Sequence, residues 1–122
     1  SFVFAGEHGE ELPLHRPGAH VKLTLHADGK TMVRRYSLVS DPANRREYRI
    51  AVLREPASTG GSAYLHERLR IGDAVEAGAP QSDLQFADNA AHTVLIAGGI
   101  GITPMLSLLR SLTAAGQSVE IH

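Results

Sequence analysis

The stretch "HTVLIAGG", His92 to Gly99, constrains the fold more than any other. A continuous apolar run that ends in glycines reads as a strand buried on both faces of a parallel sheet. It leads into "TPMLSLLRSLTAAGQ", where Thr103 is placed as helix N-cap, Pro104 at the first helical position and Gly116 as the stop. "SVEIH" then begins another strand. The order strand, helix, strand predicts a β-α-β unit near the end of the chain.

The preceding two-thirds has a different period. Val21, Leu23 and Leu25 alternate with polar residues in "HVKLTLH", and "ADGK" supplies the Asp-Gly pair of a tight antiparallel turn. The return strand is "TMVRRYSL", with Met32, Arg34, Tyr36 and Leu38 on one side and Val33, Arg35 and Ser37 on the other. "YRIAVLRE" is a further predicted strand, with Tyr48, Ile50, Val52 and Arg54 sharing a face. "SAYLHERLR" is predicted as a short helix capped by Ser62, and "IGDAVEAGAP" as a short strand between glycine turns. Tyr64, Leu65 and Leu69 read as core, and Arg45 to Glu47 as a solvated turn.

Composition excludes several classes of function. The 122 residues carry a formal net charge of -1, without the basic footprint of a nucleic-acid binder. No apolar stretch approaches the roughly 20 residues that span a bilayer, and the N-terminus lacks a signal-peptide pattern, so no membrane association and a cytoplasmic setting are expected. With no cysteine, the chain holds neither disulfides nor a cysteine-ligated iron-sulfur cluster. The seven histidines form no compact metal motif, so they are read as solvent-facing or structural and no metal site is predicted. No G-x-S-x-G elbow surrounds Ser37, and no catalytic acid, base or nucleophile is assigned.

Three stretches carry chemistry. In "RRYSLVSDP", an arginine fork suits phosphate, a tyrosine offers a flat face and a serine one adaptable hydrogen bond, a set that fits a phosphorylated aromatic ligand. In "STGGS", two glycines before a helix let backbone approach an anion. In "LIAGGIGITP", a strand's C-terminal end meets a helix start, where nucleotide phosphates sit in open α/β sheets. This last turn is neither a Walker loop nor a G-x-G-x-x-G turn, since Pro104 stands where the third glycine belongs. A solvated strand face or a plain glycine turn would account for any one of the three alone.

Their order distinguishes them. "PGAHVKLTL", "RRYSLVSDP", "YRIAVLRE", "GGSAYLHE", "LRIGD" and "LIAGGIGITPML" together resemble the ferredoxin-NADP reductase superfamily, most closely its phthalate dioxygenase reductase-like members, including the reductases of vanillate-type demethylases. The resemblance implies a Greek-key antiparallel β-barrel of six strands that binds flavin, followed by the first β-α-β of an α/β nucleotide-binding domain. It implies that Arg34 binds the flavin phosphate, that Tyr36 packs against the isoalloxazine and that Ser37 hydrogen-bonds near the reactive nitrogen. Gly60, Gly61 and Ser62 would hold the phosphate, with Arg54 as a second cation, and Gly98, Gly99, Gly101 and Thr103 would face the nicotinamide nucleotide. Thr59 stands where close relatives commonly carry a basic residue.

On this basis residues 1-88 are expected to form the flavin-binding barrel domain and 89-122 the start of a nucleotide-binding domain. The family pattern has a further strand before Ser1 and further β-α units after His122, so the chain reads as a fragment. The expected function is oxidation of NADH or NADPH by bound FMN, with FAD as the alternative. Electrons would pass to a 2Fe-2S ferredoxin domain outside this chain and on to a terminal oxygenase. FMN is preferred because "GGS" presents a helix start to one terminal phosphate and no adenine-stacking aromatic is evident nearby. The rival is a non-enzymatic β-barrel module that binds a nucleotide or a protein partner. It leaves "GGIGITP" without a purpose.

Overall fold

The computed structural model describes residues 1–57, 60–85, 87 and 89–122. Strands β2 (His20–Ala27) and β3 (Lys30–Ser37) form an antiparallel hairpin in which Leu23 faces Arg34 and Val21 faces Tyr36. The two residues between them, Asp28 and Gly29, have φ of 51 and 72, the left-handed pair that matches the twist of the flanking strands. Alternation on β2 buries Val21, Leu23 and Leu25 and turns Lys22 and Thr24 outward.

Two shorter strands, β1 (Phe2–Ala5) and β4 (Glu47–Ile50), pair antiparallel with each other. A single bridge between Leu38 and Ile50 joins them to the end of β3. On the far side of β2, β5 (Glu76–Ala77) pairs with Leu23 and Thr24, and the bridge from His20 to Gln81 continues that edge. Among the described residues the strands form antiparallel sheets in which β1 and β5 are not paired, so no closed barrel is present. The core lies between these sheets and is built from Ala19, Val21, Leu23, Leu25, Leu38, Tyr48, Ile50 and Leu65.

The predicted strand over residues 48 to 55 ends at Ile50. Beyond it the chain turns to run beside helix α1 (Gly61–Glu67), where His66 Nε2 lies 2.9 Å from the Val52 carbonyl oxygen and the Glu55 N–H donates to Ser62 Oγ. The Val52 carbonyl and the Glu55 N–H thus find partners on α1 in place of a ladder. Leu65 is fully buried, with Tyr64 and Leu69 packed against the core as expected. Glu47, placed in a solvated turn by the sequence, opens β4 instead.

The C-terminal segment forms the predicted strand–helix–strand unit. β6 (Thr93–Leu95) and β7 (Val119–Ile121) are parallel, joined by a 3-10 turn (Gly99–Gly101) and helix α2 (Ile102–Ala114). Only Leu95 is well buried on β6, while Val94 and Ile96 are half or more exposed. The expectation of a strand buried on both faces is therefore not met: a two-stranded sheet with one helix leaves one face uncovered.

Candidate functional site

Alternation places Met32, Arg34 and Tyr36 on the core side of β3, opposite the buried Leu25, Leu23 and Val21. The chain returns above this row at Gly60 and Gly61. Gly60 has φ of 112, a conformation that side chains oppose, and it caps α1 without a side-chain bond. Ser62 is thus not the N-cap: the glycine makes the turn, and the Ser62 hydroxyl instead accepts from the Glu55 N–H at 3.4 Å.

The approach of the two segments is close. A Cβ on Gly61 would lie 2.9 Å from Arg34 Cγ and 3.2 Å from Tyr36 Oη, and one on Gly60 would lie 3.1 Å from Met32 Sδ. Any side chain at Gly61 would fill the space where the arginine stem and the tyrosine hydroxyl meet the helix start. Burial pushes the Tyr36 hydroxyl above its ordinary value of 10.0, and the Arg34 charge opposes that shift. The phenol therefore stays protonated and available as a donor beside a guanidinium. Arg34 also donates to the Val33 carbonyl at 3.0 Å.

Ser37 lies on the other face of β3, opposite His20. Arg35 shares that face and stands 3.7 Å from Asp83, and His20 Nδ1 is 3.9 Å from the same carboxylate. A ligand reaching both Tyr36 and Ser37 has to sit at the edge of β3, which is the edge strand of its sheet. Arg54 is held in an ion pair. Its guanidinium pairs with Glu67 at 2.5 Å, at the end of α1 opposite Gly61. Ser58 and Thr59 of the "STGGS" stretch lie outside the described residues, as does Asp88 at the expected domain boundary.

Gly98, Gly99 and Gly101 form an open turn: a Cβ at any of them would meet nothing within 4 Å. Only Gly99, with φ of 57, is required by the backbone. The N-cap of α2 is Gly101 rather than Thr103, because the 3-10 turn runs straight into the helix. Thr103 is buried at the second position and donates from Oγ1 to the Ile100 carbonyl at 2.9 Å, which closes the turn from within. Met32 was missed as part of the site, although its alternation with Arg34 and Tyr36 carried the signal. Among the described residues, no group of three or more histidine or acidic side chains is arranged to hold a metal ion. No helix there is long and apolar enough to cross a membrane.

The chain is similar in sequence and fold to known proteins. The family model described as the oxidoreductase FAD-binding domain matches residues 1–86. The chain is 43% identical over all 122 residues to the tert-butanol monooxygenase / tert-amyl alcohol desaturase reductase subunit of Aquincola tertiaricarbonis, covering 35% of it. It is 39% identical to the vanillate O-demethylase oxidoreductase of Pseudomonas sp. (strain HR199 / DSM 7063), covering 38% of that protein. Among solved structures, phthalate dioxygenase reductase, described as modular for electron transfer from pyridine nucleotides to [2Fe-2S], superposes with a TM-score of 0.89 at 37% identity. That match covers 98% of this chain and 37% of the other. The chain thus spans little more than a third of the length of these relatives.

Proposed function

The chain belongs to the oxidoreductase FAD-binding domain family, and from that premise we propose that it is the flavin-binding part, with the start of the nucleotide-binding part, of an NAD(P)H-dependent reductase. The observation that carries this reading is the meeting of Arg34, Tyr36 and Gly61 across a gap too small for one methyl group. The residues fit a flavin: a cation for phosphate, an aromatic ring beside it, and glycine backbone brought close to both.

In this reading Arg34 holds the flavin phosphate together with the backbone of Gly60, Gly61 and Ser62. Tyr36 packs against the ring system, and Ser37 donates to it from the strand edge. Arg54 is a second cation only on release from Glu67, an exposed pair of the kind that contributes little. Gly98, Gly99 and Gly101 offer their backbone to the nicotinamide nucleotide, and Thr103 holds the shape of that turn. A bound flavin takes a hydride as a two-electron packet and releases electrons singly. The protein's part is to hold two ring systems in reacting geometry, a contribution of position rather than of acid-base chemistry.

The acceptor is a 2Fe-2S centre on another segment or subunit, serving a terminal oxygenase in the cytoplasm. Without cysteine, residues 1–122 offer no thiolate ligand to such a centre. In the same reading residues 1-88 are the Greek-key flavin barrel domain, and 89-122 open the nucleotide-binding domain.

We infer that the flavin is FMN, since "GGS" presents one helix start to one terminal phosphate. A cavity of about 270 Å³ beside Gly60, lined by Lys30, Met32, Tyr64 and Arg68 among others, favours FAD as the second reading, because it offers further volume next to the glycine turn. Release of the cofactor by heat, followed by chromatography, tests both. FMN is expected, and mainly FAD would replace it. A protein that stays colourless after reconstitution with either flavin would point to the binding-module reading instead.

A further inference from the structure

The parallel unit is fastened to the antiparallel one by two directional bonds from α2. Ser107 is fully buried, and its Oγ accepts from the Gly18 N–H at 2.8 Å while lying 3.2 Å from the Pro104 carbonyl, to which it donates. One turn on, Arg110 Nη1 donates to the Val39 carbonyl at 2.9 Å. Thr103, Ser107 and Arg110, four and three residues apart, make one stripe along the helix.

Gly18 and Val39 are on different loops, yet they belong to one rigid piece. The Leu38 N–H donates to the Ala19 carbonyl at 2.8 Å, so both attachments land beside a single rung at the end of the β2–β3 ladder. That rung follows directly on Tyr36 and Ser37. At the other end of the stripe, Thr103 belongs to the turn of Gly98–Gly101 and lies about 6 Å along the axis from Ser107. Two bonds to two backbone atoms add directional restraint to the non-directional apolar packing of the helix.

We propose that Ser107 and Arg110 are positioning residues, which set the distance and orientation between the turn of Gly98–Thr103 and the strand bearing Tyr36 and Ser37. Both are engaged by protein backbone, Ser107 with Gly18 and Pro104 and Arg110 with Val39. The inference rests on the reductase reading above, and it predicts that loss of the clamp slows transfer between the two rings without loosening the flavin.

The test uses the full-length protein reconstituted with flavin, in wild-type, Arg110→Met, Arg110→Lys and Ser107→Ala forms. Arg110 is exposed, so Arg110→Met is expected to fold. Anaerobic mixing with NADH or NADPH gives the limiting rate of flavin bleaching, and dithionite gives a reduction rate independent of nicotinamide geometry. Arg110→Met should lower the limiting rate about tenfold or more, in line with the cost of a misplacement near 1 Å. Its flavin affinity and dithionite rate should stay within about twofold of wild type, and Arg110→Lys should recover most of the loss. Ser107→Ala, which deprives the Gly18 N–H of its acceptor, should move the same way. If it fails to fold, the arginine variants decide. A limiting rate for Arg110→Met close to wild type, or a loss matched by an equal loss of flavin affinity, overturns the proposal alone. A wild-type protein bleached by neither nucleotide overturns the reductase reading and the clamp with it.

Discussion

The Cβ that Gly61 lacks would stand 2.9 Å from Cγ of Arg34, two residues 27 positions apart in the chain. The contact is with the stem of the arginine, close to the backbone, where little room exists to swing aside. Gly61→Ala should therefore displace Arg34 and Tyr36 together. We expect flavin affinity to fall about tenfold, part of the worth of a charged hydrogen bond, with a minor change in thermal midpoint. Unchanged affinity in a fluorescence titration would remove Gly61 from the site.

Neighbouring arginines should differ sharply. Arg34 faces the core side with Tyr36, whereas Arg35 points outward toward Asp83 with a largely exposed side chain. Arg34→Ala should cost on the order of 1.5 to 3 kcal/mol of flavin binding, about one to two decades. Arg35→Ala should leave it nearly unaltered, since exposed ion pairs contribute about 1 kcal/mol at most. Equal affinities for the two variants would reverse the assignment.

Leu23 is 1% exposed and lies directly across the hairpin from Arg34. Leu23→Ala should destabilise the fold by about 2 to 5 kcal/mol through lost burial and the cavity left behind. On the same hairpin Val33 is 53% exposed, and Val33→Ala should cost much less. Urea midpoints for the pair provide the check. A small effect at Leu23 would mean that the core is less well packed than the sheets imply.

Alkaline conditions should weaken the fold. Burial raises the hydroxyls of Tyr36 and Tyr48 above 10.0, against the smaller opposing effects of Arg34 and Arg45. The folded chain then holds these protons more tightly than the unfolded one, so the associated stability is present below pH 10 and lost as pH rises beyond it. Tyr48→Phe, which also removes the bond to the Pro13 carbonyl, should be less stable throughout but decline less steeply. Thermal midpoints between about pH 8 and 11 would reveal the difference in slope. Parallel declines would dismiss Tyr48 as a source.

Local chemistry was legible in the sequence because it depends on neighbours. Asp28 and Gly29 can adopt positive φ, so the hairpin and its register follow, and a period of two then separates Arg34 and Tyr36 from Arg35 and Ser37. The apolar run before Gly98 and the helix stopped just ahead of Gly116 were readable for the same reason, and so was the parallel unit. The short strand Phe2–Ala5 gave no such signal, since four residues define a period poorly and its partner Glu47–Ile50 lies more than 40 residues away.

Tertiary structure decided which segments meet. It stopped the fourth strand at Ile50 by offering α1 to the following backbone, and it moved both helix starts to glycines in place of Ser62 and Thr103. It set Gly61 over Arg34, and it paired Gly18 with Ser107 across 89 residues. A glycine, a serine or an arginine carries no local mark of its distant partner. Such pairs form only when burying the shared core offsets the entropy of closing the long loops between them, and that balance belongs to the whole chain.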